Sequence, residues 1–172
     1  MTSSPLLIVV PTLNSYHLLP RLLRSLQQQI WPHWRLLFID GHSRLEHRNW
    51  LVECCNSEPR CTWVAQGREY DGIFGAMNQG FALADKDDWV LFWGSDDWAA
   101  SNTLLHDLSS FILKHDLSPS DNILLVTYGQ YISSTDLLLR FTKFSDKFLF
   151  HSHIELPPLS LSHSLCNNKT DT

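Results

Sequence analysis

Two adjacent carboxylates, Asp96 and Asp97, follow the apolar run Trp89-Val90-Leu91-Phe92-Trp93 and the pair Gly94-Ser95. A short run rich in Val, Phe and Trp reads as a buried strand. An unpaired charge in the core costs on the order of several kcal/mol, so both acids belong in a loop at the strand's carboxyl end. Paired carboxylates there suit a hard divalent cation and, through it, a phosphate. The plainer reading is a solvated Asp-Asp turn that caps the next helix. These residues alone leave both open.

The elements that must position the pair follow from periodicity. Leu6-Leu7-Ile8-Val9-Val10 is a continuous apolar run, the pattern of a central parallel strand, and it stops at Pro11-Thr12-Leu13-Asn14. Apolar residues then recur at helical spacing from Tyr16 to Ile30, with Ser15 as the expected cap and Pro20 tolerable only near the start. A second strand, Arg35 to Ile39, ends at Asp40-Gly41-His42-Ser43. A helix over Leu45–Cys55 and a strand over Cys61–Ala65 come next. The polar loop Gln66 to Gly72 leads into a helix over Ile73–Ala84, where two glycines suggest tight packing or a close ligand. The fourth strand is Trp89–Trp93.

This alternation predicts an α/β fold, a mostly parallel sheet with helices on both faces. Right-handed crossovers predict the strand order 3-2-1-4. Asn14, Asp40 and Asp97 then leave carboxyl ends that border one crevice. Beyond them, a helix is expected over Ser101–His115, with Leu104, Leu105, Leu108, Phe111 and Ile112 on one face. Short strands follow over Ile123–Tyr128, Gln130–Ser133 and Leu137–Phe141, with a turn at Gly129.

Composition narrows the class. The chain has 172 residues, 44% hydrophobic and 18% charged, which fits one folded domain. A net charge of −5 without a Lys/Arg cluster argues against nucleic acid as a partner. The four cysteines lack C-x-x-C spacing and read as reduced, mostly buried thiols, with Cys54-Cys55 in a helix core. No signal peptide or transmembrane segment is expected, which points to a cytoplasmic protein. Seven tryptophans are many for this length, and core packing is the expected place for most. His151 and His153 form H-x-H, but no Cys or acid is spaced to complete a zinc site with His163. The first turn lacks G-x-G-x-x-G, which disfavours a dinucleotide oxidoreductase.

Four segments in this order carry a resemblance: Pro11-Thr12-Leu13-Asn14, Ile39-Asp40-Gly41-His42-Ser43, Gly72 to Gly80, and Ser95-Asp96-Asp97-Trp98. Over roughly its first hundred residues the chain resembles the nucleotide-sugar-binding half of a family 2 glycosyltransferase with the Rossmann-like GT-A fold. The resemblance implies transfer of a sugar from a UDP- or GDP-sugar to a glycan or lipid-linked acceptor, with inversion, in polysaccharide or glycan biosynthesis. It implies that Asp97 ligates Mg²⁺ or Mn²⁺ on the diphosphate and that Asp96 holds ribose or the metal's water. Asp40 would accept from the base or ribose, Pro11 and Thr12 would border the base, and Asn14 would bond nearby. Arg68 would meet phosphate, Asp71 the base or sugar, and Asn78 would sit on the helix face turned to the site. For Asp40, Asn14, Arg68 and Asp71 the plain alternative is a turn or solvated-loop residue. The chain departs from the family pattern at Gly75 and at Trp93-Gly94, positions that bear on sugar specificity.

The resemblance also sets an expectation of organisation. Residues 1–143 would form the nucleotide-sugar domain, and residues 144–172 an incomplete acceptor-side segment with a frayed tail. The catalytic base of this family lies well after the metal motif. Here only Asp136, Asp146 and Glu155 qualify, by residue type alone. The chain therefore reads as C-terminally shortened. The competing function is a nucleotide-sugar-binding or interaction module without an acceptor half. A left-over apolar surface would favour a homo-oligomer, and the protein could lie peripherally on the inner membrane face.

Overall fold

The computed structural model describes residues 5–119, 129–132 and 138–142. The chain divides into two compact units, Met1–Ser120 and Asp121–Thr172. In the first, four parallel strands stack in the order β3-β2-β1-β4, as the crossover rule requires. They are β1 (Leu6–Thr12), β2 (Trp34–Asp40), β3 (Cys61–Ala65) and β4 (Trp89–Phe92). Four helices alternate with them: α1 (Leu19–Gln27), α2 (Leu45–Ser57), α3 (Gly72–Ala82) and α4 (Leu104–Lys114).

Strand β1 is buried along nearly its whole length because it is paired on both sides. Its register with β2 runs from Leu6↔Trp34 to Thr12↔Asp40, and with β4 from Leu6↔Trp89 to Val9↔Phe92. The two sheet faces carry different residues, since successive side chains alternate. Leu7, Val9, Leu37 and Ile39 pack with Ala76 of α3 on one face. On the other, Phe38 meets Trp50 of α2 edge-on.

Helix α1 starts three residues later than the periodicity suggests, and the reason is Pro20. Its missing N–H is harmless only in the first turn, where it now stands. Residues 16–18 form a turn instead, and Ser15 does not cap the helix. Its hydroxyl lies 2.7 Å from the Thr12 hydroxyl. Helix α2 runs two residues beyond the expected Cys55, with His47, Leu51 and Cys54 on its buried face. Cys55 pulls the Cys54 pKa down, but Cys61 and burial outweigh it and lift the thiol to about 12, so Cys54 is a packing group.

The two glycines of α3 serve packing. A Cβ on Gly80 would collide with the Val9 side chain of β1, and one on Gly75 would lie 2.6 Å from the Tyr70 carbonyl carbon. Their absence lets α3 press onto the sheet and lets the preceding loop fold back on it. Leu105 and Ile112 anchor α4, whereas Phe111 is 46% exposed and packs on His115.

In the second unit, β5 (Gly129–Ile132) and β6 (Leu138–Thr142) form an antiparallel ribbon. Gly129 is thus the first strand residue, not a turn. The expected strand over 123–128, the boundary at 143/144, Asp136, Asp146, Glu155 and the three C-terminal histidines lie outside the described residues. Among the described residues no helix is long and apolar enough to cross a membrane.

Candidate functional site

Above the carboxyl ends of the strands lies a cleft of about 580 Å³. This is the edge where open parallel sheets bind ligands. Pro11, Thr12 and Leu13 follow β1 into its wall, Ile39, Gly41 and His42 come from β2, and Ser95 follows β4. The β3–α3 loop supplies Arg68, Tyr70 and Asp71. Of the residues singled out from the sequence, the structure therefore gathers Pro11, Thr12, Arg68 and Asp71. Neither Arg68 nor Asp71 has a side-chain partner among the described residues, so both charges are free for a ligand.

Two glutamines that the sequence did not single out shape that loop. The Gln66 side-chain amide donates to the carbonyls of Tyr70 and Gly72, each at 2.8 Å. Gln79 of α3 accepts from the Gly67 N–H at 2.8 Å and donates to the Ala65 carbonyl at 3.1 Å. Together they close the loop that presents Arg68 and Asp71. The available signal was weak: a polar residue directly after a strand, and one amide among the apolar residues of α3.

Asp40, Asn14 and Asn78 do not line the cleft. Asp40 is fully buried on the α2 side of the sheet, the face it shares with Phe38. Its carboxylate accepts the Ser43 N–H at 3.2 and 3.3 Å and lies 3.8 Å from His47 Nε2. The same ring nitrogen is 3.2 Å from the Thr12 hydroxyl. Burial pushes the His47 pKa down against the pull of the Asp40 charge, which favours a neutral ring. Asn14 adopts a left-handed backbone, φ +52°, and is spent on linking the first two loops. Its side chain accepts from the Arg44 N–H at 2.8 Å, and its own N–H donates to the Ser43 hydroxyl at 2.9 Å. Asn78 is exposed on α3, outside the wall.

Asp96 and Asp97 directly follow the wall residue Ser95 and do not themselves line the cleft. Asp97 accepts the Gly94 N–H at 3.1 Å and returns its own N–H to the Gly94 carbonyl at 3.1 Å. A Cβ on Gly94 would lie 2.8 Å from Asp96 Oδ1 and 2.7 Å from Asp97 Oδ2. The two carboxylates thus lean over one point, which only glycine leaves open. Desolvation, with the Asp96 charge beside it, raises the Asp97 pKa although Gly94 opposes the shift. Like charges converging in this way are relieved by a cation. Among the described residues no group of three or more His, Cys, Asp or Glu could hold a metal alone. A cation here would complete its shell with water and ligand oxygens, the usual habit of Mg²⁺.

Helix α1 braces the segment that follows. The Arg21 guanidinium lies 3.4 Å over the Trp98 ring. The buried Ser25 hydroxyl accepts from the Ala99 N–H at 2.9 Å. The buried Gln29 amide donates to the Ser101 carbonyl at 2.7 Å and accepts from the Leu105 N–H at 3.0 Å.

Residues 7–136 match the model of "Glycosyl transferase family 2". The chain belongs to this family. A PGL/p-HBAD biosynthesis glycosyltransferase of Mycobacterium bovis is 31% identical over 156 residues, which cover 86% of this chain and 55% of that protein. A protein of the same description in Mycobacterium tuberculosis aligns with the same identity and coverage. The chain thus spans about half the length of these relatives. Among solved structures, S. aureus TarS in complex with UDP-GlcNAc is 25% identical with a TM-score of 0.57, over 65% of this chain and 32% of that one. The mannosyltransferase PcManGT of Pyrobaculum calidifontis, solved with GDP-Man and Mn2+, shares the fold at 19% identity and a TM-score of 0.54, over 62% of this chain and 32% of its own. The fold of this family 2 chain is therefore GT-A, and the cleft lies on the ligand edge of its sheet.

Proposed function

We propose that the cleft binds the nucleoside diphosphate of a UDP- or GDP-sugar, and that the protein transfers the sugar to a glycan or lipid-linked acceptor. The observation that carries this reading is the union of two features on one sheet edge. One wall presents Arg68 and Asp71, without side-chain partners among the described residues, and two carboxylates that converge above Gly94 follow the wall residue Ser95. A nucleoside diphosphate fits both, with polar groups at one end and an anionic diphosphate at the other. TarS, a structural relative, is known with UDP-GlcNAc and with UDP.

In this reading Asp97 and Asp96 hold Mg²⁺ or Mn²⁺ against the diphosphate. The bound cation would neutralise charge that develops on the leaving group. Arg68 places a guanidinium near the anionic end, where charge-assisted hydrogen bonds are strong. Pro11 and Leu13 give an apolar border to the base, and Asp71 accepts from a sugar or base donor. Asp40, Ser15 and His47 act beneath the wall, and with the wall residue Thr12 they hold the first two loops in register. Displacement would be in line and inverting, with the base supplied from beyond the described residues.

Calorimetric titration of UDP and GDP, with and without Mn²⁺, tests this directly, beside Asp97→Asn. Metal-dependent binding that the variant lacks is the expected result. If no nucleotide binds under either condition, the donor-site reading is wrong.

A further inference from the structure

We infer that His42 contacts the nucleoside end of the ligand and sets its affinity, a step that rests on the donor-site reading above. His42 has φ +62°, the left-handed region. Any side chain held there carries backbone strain that glycine avoids. Such strain persists where the surroundings impose it, and it marks candidate functional positions.

The neighbours of His42 impose its backbone. On one side the Gly41 N–H donates to the Thr12 carbonyl at 2.9 Å. On the other the Ser43 N–H is held by Asp40, and the Ser43 hydroxyl takes the Asn14 N–H. Those bonds fix a left-handed residue between them, but they do not call for an imidazole. The ring makes no hydrogen bond, ion pair or ring contact among the described residues. It is exposed, and the residue stands in the cleft wall. Asn14, also left-handed, differs: its side chain is consumed by the Arg44 N–H. Among the described non-glycine residues with positive φ, His42 alone stands in the cleft wall.

The topology says which part of a ligand it meets. Strand β1 stands between β2, whose following loop carries His42, and β4, whose following loop carries the two aspartates. With strands ~4.8 Å apart, about 10 Å separates the two ends. In the donor-site reading the diphosphate sits by Asp96-Asp97, and we place the nucleoside at the opposite, β2 end of the cleft. There an imidazole can hydrogen-bond the base or ribose, or stack on the base.

His42→Gly and His42→Asn both suit a left-handed residue, and neither carries the ring. Each would be titrated with UDP and GDP in Mn²⁺, and with inorganic pyrophosphate in Mn²⁺, and melted without ligand. The expected result is a loss of about tenfold in nucleotide affinity for both variants, with pyrophosphate affinity kept within about twofold. The Gly variant should melt at or above the wild type, since strain is relieved. A turn residue with no ligand role would behave otherwise, with nucleotide affinity unchanged in both variants. That result overturns the inference, as does a parallel loss of pyrophosphate affinity. Should the Gly variant melt lower, the Asn variant decides on the same affinities. Wild-type protein that binds no nucleotide would instead reject the donor-site reading itself, and this inference with it.

Discussion

Two carboxylate clusters end two strands of the same sheet, and they are opposites. At the end of β2, Asp40 is buried, accepts a backbone N–H and lies beside a buried histidine that in turn meets Thr12. Near the end of β4, Asp96 and Asp97 are exposed, converge above Gly94 and repel one another. The first cluster is largely satisfied within the chain. The second has no cationic partner among the described residues. A buried, hydrogen-bonded acid is an element of the fold, whereas an open pair in which Asp97 carries a raised pKa is a place for a ligand.

The comparison breaks most visibly at Asp40. Asp40→Ala would strand the Ser43 N–H and leave His47 without its acid, costing on the order of 3 kcal/mol in a denaturant titration. Metal-dependent binding, rescaled for the folded fraction, should survive better than in Asp97→Asn. Next is the brace behind the second cluster. Gln29→Ala leaves the Leu105 N–H and the Ser101 carbonyl without their partner, at about 2 kcal/mol of stability. Its diagnostic readout is a higher Mn²⁺ requirement for nucleotide binding, which a remote packing defect would not produce. Gly94→Ala is gentler on the fold but splays the two carboxylates. We expect a loss of about tenfold in metal-dependent affinity, near 1.4 kcal/mol, by calorimetry.

The smallest effect is in pH, and its sign differs between the clusters. His47 has a lowered pKa, so the unfolded chain holds the proton more readily than the fold. Its contribution is present above the ordinary 6.5 and is lost as pH falls toward the lowered native value. Asp97 has a raised pKa, so its contribution is full below the ordinary Asp range and is lost as pH rises through the native value. Metal-free Asp97→Asn should therefore melt slightly above wild type at neutral pH, and the gap should close on acidification. A gap that widens instead would mean that Asp97 is not repelled in the fold.

The order of elements and the position of the crevice were legible in the sequence. The unbroken apolar run Leu6–Val10 had to be central, and β2 and β4 had to flank it. Helix ends were less legible. Pro20 set the start of α1, but Ser15 was drawn away from the cap by Thr12, a partner from the strand before it. The glycines of α3 signalled a close approach without saying to what. The answers were Val9 and the Tyr70 backbone.

What the sequence determined by itself was the order of the strands and, within about two residues, where each stops, because burial and period are written residue by residue; Pro11 and Thr12, expected as turn, extend β1 because they pair with Ile39 and Asp40. What only the tertiary structure decided was the face. Residues 39 and 40 are adjacent at one strand end, yet Ile39 lines the cleft and Asp40 faces α2. Alternation guarantees that they point apart. Which of them meets the ligand depends on which helix covers which side, and that choice is made only when the layers pack.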